Sequence, residues 1–142
     1  MKNLQGRVAL VTGAGSGIGR SDALVLAERG ATVLVNDFDP RAADETAAQI
    51  GEAGGCAVPC VADVGDAAAI AAAIDAAQRQ AGAIDILVNN AGISGRQQAF
   101  DAIADADLAR MFQVHVMGAW YCTRAVLPGM KDRGRGKIIN TS

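Results

Sequence analysis

The stretch "VALVTGAGSGIGR", residues 8–20, decides how the rest of the chain is read. Four apolar residues, Val8 to Val11, run straight into a turn with glycine at positions 13, 15, 17 and 19, and a helical pattern follows. A short apolar strand, a glycine turn and a helix in direct succession open a βαβ unit. Glycine permits positive φ and lets backbone N–H groups come close to a ligand. The following helix points its free N–H groups and positive dipole end at the same place, which suits a diphosphate. The pattern is GxxxGxG rather than GxGxxG, because Ile18 stands where the latter, counted from Gly13, needs its third glycine. A GxxxxGK[ST] phosphate loop fails at two positions: Ala14 replaces its first glycine and Arg20 its lysine.

Working outward, short β-branched runs alternate with alanine-rich helical stretches along all 142 residues, and no linker interrupts them. Strands are expected at 8–11, 32–36, 57–61, 84–88 and 137–140, with helices at 18–29, 41–53, 67–81 and a long one at 104–130. Near-continuous apolar strands such as "TVLV" and "DILV" fit a parallel sheet covered on both faces. Pro59 interrupts the third strand, and proline removes a ladder donor, so that strand belongs at an edge. The doubly wound order 3-2-1-4-5 puts it there and opens a crevice at the carboxyl ends of strands one and four.

Composition narrows the function. Residues are 51% hydrophobic and 4% aromatic, with 17 glycines, as expected of one helix-rich α/β domain. Net charge is -2, and the basic cluster "KDRGRGK" reads as a solvated turn, so no nucleic-acid partner is expected. Apolar runs are too short to span a bilayer and the amino terminus lacks a signal-peptide core; no membrane association is expected, and the cytoplasm is the expected compartment. Cys56, Cys60 and Cys122 form no CxxC pair. Cys56 and Cys60 share one strand face and are expected as buried, reduced thiols; with His115 the only histidine, no metal site is expected.

Polar residues or the glycine turn follow where each strand ends: "TGAGSGIGR" from Thr12, Asn36 and Asp37, Asp63, Asn89 and Asn90, Thr141 and Ser142. Five strands with polar carboxyl ends mark the crevice as a ligand site. Asp37 is placed to accept hydrogen bonds from the adenosine ribose of a dinucleotide and to repel a 2′-phosphate. With Phe38 next to it and no cation in the glycine turn before Arg20, NAD is expected rather than NADP. Asp39 is the better helix cap, because Pro40 suits the first helical position, and this leaves Asp37 for the ligand.

In combination, "TGAGSGIG" at 12–19, "ND" at 36–37, "DV" at 63–64, "NNAG" at 89–92 and "GKIINTS" at 136–142 resemble the short-chain dehydrogenases/reductases over the whole chain. The resemblance implies a Rossmann-type α/β sheet, hydride transfer between NAD(H) and a small alcohol or carbonyl substrate, and a homo-oligomer formed through the long helix. Carried over by position, Gly13, Ser16, Gly17, Ile18 and Gly19 would hold the pyrophosphate and Asp37 the adenosine ribose. Asp63 and Val64 would meet the adenine edge, and Asn90, Ala91 and Gly92 would border the adenosine half. Thr12 and Asn89 would tie strands one and four together, and Ser94, Gly95 and Arg96 would border the substrate mouth.

Two departures accompany the resemblance. His115 occupies the family's catalytic-tetrad asparagine position, and Leu108, Phe112, His115, Ala119, Cys122, Val126 and Met130 form one helical stripe expected to face core or crevice. A satisfied core histidine competes there with a role in positioning water or shaping the helix. Second, the family's tyrosine and lysine in YxxxK have no match: Tyr121 is the only tyrosine, and Ala125 stands in the lysine's place. Ser142 matches the residue beside the family's catalytic serine. The chain is therefore expected to be the cofactor-binding portion, truncated before the catalytic Tyr/Lys segment and lacking the family's later strands and helices. The last two strands would then be bare on one face, so a chain that is complete at Ser142 is expected to be marginally stable or to associate. A non-catalytic dinucleotide-binding or interaction module is the alternative. A methyltransferase would explain the glycine turn and Asp37 but not "NNAG" or "GKIINTS".

Overall fold

The computed structural model describes residues 3–95 and 97–142. Five strands, β1 (Val8–Val11), β2 (Thr32–Asp37), β3 (Cys56–Val61), β4 (Ile86–Asn89) and β5 (Lys137–Asn140), form one parallel sheet in the order β3-β2-β1-β4-β5. The strand order and class agree with expectation, and Pro59 lies on the edge strand opposite Val35. The connecting helices are α1 (Gly17–Glu28), α2 (Pro40–Glu52), α3 (Ala67–Ala81), α4 (Asp105–Phe112) and α5 (Gly118–Asp132). Asp39 caps α2 by accepting from Arg41 N at 2.9 Å, with Pro40 at the first helical position, and Asp66 caps α3 by accepting from Ala68 N and Ala69 N.

Strand alternation sorts the apolar residues onto two faces. On one, Ala9, Val11, Val33, Val35 and Val88 pack against Ala23 and Ala27 of α1 and Ala43 and Ile50 of α2. On the other, Val8, Leu10, Leu34 and Leu87 meet Ile70 and Ile74 of α3 and Cys122, Val126 and Met130 of α5. Each fully buried Leu or Ile stabilises the sheet by about 1.5–3 kcal/mol. Small residues on α1 let it lie close to the strands and bring its amino terminus against the glycine turn.

Several expectations change. The long helix is α4, a π-helical segment Gln113–Met117 and α5 in succession. The expected stripe splits at that segment: Cys122, Val126 and Met130 are buried, whereas Leu108, Phe112 and His115 are exposed, and Val114 and Gly118 turn inward instead. A π turn accommodates one extra residue and shifts the helical phase, which an unbroken 3.6-residue period cannot anticipate. Cys60 is buried as expected, but Cys56, the first residue of the edge strand, is exposed. The bare face is smaller than expected: Val88 is buried and Ile86 half-buried, and Ile139 of β5, at 49% exposure, is left open.

Candidate functional site

At the carboxyl ends of β1, β2 and β4 the crevice holds a cavity of about 650 Å3. Its floor is the glycine turn. Gly13 (φ 64°) and Gly17 (φ 55°) adopt the left-handed conformation that favours glycine. Ser16 precedes α1 without a side-chain cap bond, so the helix presents its first N–H groups to the cavity. Gly13, Ser16, Gly17 and Ile18 line the cavity, and Ile18 is 69% exposed. Gly19 is buried beneath them: a Cβ there would overlap the Gly13 carbonyl oxygen and lie 2.6 Å from Asn90 Nδ2. It lies off the cavity lining, and its lack of a side chain lets α1 meet the turn.

Asp37 ends β2 buried, with its carboxylate already aimed. Oδ2 accepts from Gly15 N at 2.9 Å and Oδ1 from Asp39 N at 3.0 Å. Gly15 makes this possible, since a Cβ at that position would lie 2.5 Å from Asp37 Oδ2 and 2.7 Å from Ala42 Cβ. The Arg20 guanidinium donates to the Gly15 carbonyl and, through Nε, to Thr46 Oγ1 at 2.9 Å, tying the turn to α2. Sequence reasoning did not single out Gly15, whose importance comes from a tertiary neighbour rather than from the turn itself.

The far wall begins at Asp63 and Val64. Asp63 Oδ1 accepts from Gly65 N at 2.8 Å, and Oδ2 from Arg110 Nη2 at 2.6 Å. Arg110 also lines the cavity, and no local sequence signal pointed to it. Gln113 Nε2 donates to the Gly65 carbonyl at 2.6 Å, a second tie from the long helix to this turn. Asn90, Ala91 and Gly92 complete the near side, together with Ile93. Thr12 joins β1 to β4: its Oγ1 donates to the Val88 carbonyl and accepts from the backbone N–H groups of Asn90 and Ala91. Asn89, expected in the same role, instead bridges β4 to β5 and α5, donating to Asn140 Oδ1 at 2.9 Å and Thr123 Oγ1 at 3.3 Å. Asn90 provides the second link to β1 by donating to the Thr12 carbonyl.

A second cleft, about 670 Å3, adjoins the first at Ile18, Asn90 and Ala91. His115, Trp120, Thr141 and Ser142 face it, so the residue matched to the family's tetrad asparagine and the residue matched to the neighbour of its catalytic serine share one cleft. Ser94 and Gly95 are exposed and line neither space, and Arg96 lies outside the described residues. No group of three metal-ligating side chains occurs among the described residues, and no helix there is long and apolar enough to cross a membrane.

Comparison with known proteins bears on this architecture. The family model described as short chain dehydrogenase matches residues 7–142. A peroxisomal multifunctional enzyme type 2 of Drosophila melanogaster is 44% identical over 96% of this chain, which spans 24% of that protein. Among solved structures, a 3-oxoacyl-[acyl-carrier protein] reductase from Brucella melitensis with bound NAD superposes with a TM-score of 0.93 at 36% identity, covering 99% of this chain and 55% of that one. A gluconate 5-dehydrogenase from Burkholderia cenocepacia, in complex with NADP and tartrate, gives 0.89 at 42%, covering 98% and 54%. The chain thus spans about half the length, or less, of the proteins it matches. Sheet order, glycine turn and sequence agree in placing the chain in the short-chain dehydrogenase/reductase family.

Proposed function

We propose that these residues form the dinucleotide-binding part of a NAD-dependent oxidoreductase acting on a small alcohol or carbonyl compound. The observation that carries this reading is the Asp37 carboxylate, buried at the carboxyl end of β2 and held toward the cavity by Gly15 N–H. It can accept from paired ribose hydroxyls, and it would repel a 2′-phosphate. Arg110 is the only cationic side chain on the described lining, and it is paired with Asp63, while Phe38 beside Asp37 is 74% exposed. These features favour NAD, although two similar structures are complexes with NADP.

The cavity fits such a cofactor on its own terms: the α1 amino terminus and the glycine turn offer N–H groups to a diphosphate, and Asp63 and Val64 offer an edge to adenine. Bound there, the nicotinamide would supply or accept hydride. His115 and Ser142 would border the reacting end from the second cleft. The family's tyrosine and lysine would come from residues beyond Ser142, since Tyr121 is half-buried against the α3–α5 core and has Ala125 in the lysine position. We further propose a homo-oligomer through the outer face of the long helix, where Leu108 and Phe112 are exposed, and a cytoplasmic location.

Calorimetric titration of the chain with NADH, NADPH and S-adenosylmethionine tests the reading. Binding of NADH at least tenfold tighter than NADPH is expected. Preference for S-adenosylmethionine would overturn it, and NADPH preference would overturn the cofactor assignment alone.

A further inference from the structure

His115 is matched to two backbone groups with one ring nitrogen. Its Nε2 lies 3.1 Å from Ile93 N and 2.8 Å from Ile93 O. An asparagine side chain could serve both at once, accepting with Oδ1 and donating with Nδ2; a single imidazole nitrogen either donates or accepts. With the proton on Nε2 the ring donates to the Ile93 carbonyl, and the Ile93 N–H loses this partner. With the proton on Nδ1 alone, Nε2 accepts from the Ile93 N–H, and the carbonyl loses it. The imidazolium, protonated on both nitrogens, supports the first arrangement only.

The segment held this way is a wall of the candidate site. Gly92 and Ile93 line the dinucleotide cavity, while His115 lines the adjoining cleft. The ring also packs directly on Gly92, where a Cβ would be 2.6 Å from His115 Cε1, so the imidazole lies against the wall as well as bonding to it. The π-helical segment is what puts His115 there rather than in the buried row of Val114, Gly118 and Cys122. The elements around the ring, β4 and its following loop, α5 and the end of β5, contribute Asn89, Asn90, Thr123, Asn140, Thr141 and Ser142 to this cleft, and none of these side chains titrates near neutrality. The charged groups of the adjoining cavity are Asp37, Asp39, Asp63 and Arg110.

We propose that His115 is a proton-controlled positioning residue, which couples its protonation state to the Gly92–Ile93 wall and through it to dinucleotide affinity. This inference rests on the dinucleotide reading of the adjoining cavity. Acid selects the arrangement in which Ile93 O is held and adds a positive charge beside a site for an anionic ligand, so binding tightens as pH falls, with proton uptake.

His115 is the only histidine, so 15N NMR of the ring in this chain reports on it alone. In the absence of ligand, the Ile93 amide resonance is expected to move together with the ring's titration, and in His115→Asn it should stay still over the same range. An Ile93 amide indifferent to the ring would overturn the inference without reference to any cofactor. With NADH, affinity should rise by about threefold to tenfold from the alkaline to the acid side of that titration, accompanied by proton uptake. His115→Asn should abolish that step while binding more tightly than His115→Ala. A step that survives in His115→Asn would also overturn the inference, whereas no NADH binding at any pH would overturn the dinucleotide reading and leave the amide measurement to decide the role of His115.

Discussion

The two halves of the crevice are built differently. Around β1, β2 and α2 the residues that set the shape of the site are buried or tied to backbone, although Ile18 and Phe38 stand exposed at its rim: Asp37 holds two N–H groups, Arg20 pins the turn, and Gly15 and Gly19 fill gaps too small for a Cβ. Around β5 and α5 the site-facing groups, His115, Trp120, Asn140 and Ser142, are exposed, and so is Ile139 behind them. The first half is a socket whose shape precedes any ligand. The second offers chemistry on a surface that the described residues leave open. Stability and affinity should therefore answer strongly to changes in the first half and weakly to changes in the second.

The largest effect should come from Gly19→Ala, which forces a methyl against the Gly13 carbonyl and the Asn90 amide. A loss of about 3 kcal/mol in urea unfolding is expected, because backbone rather than a flexible side chain must give way. Asp37→Ala should come next, lowering NADH affinity by about tenfold to a hundredfold in calorimetry with little change in fold, as hydrogen bonds from two hydroxyls to a charged acceptor are lost. If either variant behaved like wild type, the socket would not be as rigid as its contacts indicate.

An intermediate effect tests the core shared by both halves. Burial pushes the Cys60 thiol up to about 11 and Cys122 up to about 12, from 9.0. The folded state keeps protons that the unfolded chain releases above pH 9.0, so stability should be undiminished below that pH and fall as pH rises through 11 and 12. Melting temperature followed from neutral to alkaline pH checks this, and a Cys60→Ala, Cys122→Ala double variant should flatten part of the slope. At neutral pH a thiol reagent should modify the exposed Cys56 alone until the protein unfolds. The smallest effect is expected from Ile139→Thr on the open half: about 0.5 kcal/mol or less in stability, with reduced self-association in light scattering. A cost matching that of Gly19→Ala would mean that this surface is covered in solution.

Most of the sheet was legible in the sequence because its signals are local. Apolar runs mark the strands, Pro59 marks the edge, and Asp39–Pro40 marks a helix start. The glycine turn and Asp37 were legible for the same reason, since a backbone conformation and a strand end depend on a few neighbouring residues. What escaped depends on distant partners. Gly15 matters through Asp37 and Ala42, Arg110 through Asp63, and Asn89 through Asn140. The inward face of the long helix escaped for a further reason: the period that predicts it fails at Gln113–Met117.

That π segment carries one residue more than an α-helix would spend on the same length. The surplus offsets the two ends of the rod by about 100°, the angle one residue subtends in an α-helix. Downstream, α5 can therefore lay Cys122, Val126 and Met130 on the sheet, while Arg110 upstream and Gln113 at the segment's start reach sideways to Asp63 and Gly65. Through this single extra residue one rod serves two masters, the core and the cavity rim. A chain with one residue deleted there would re-index every upstream contact at once, whatever the local sequence on either side.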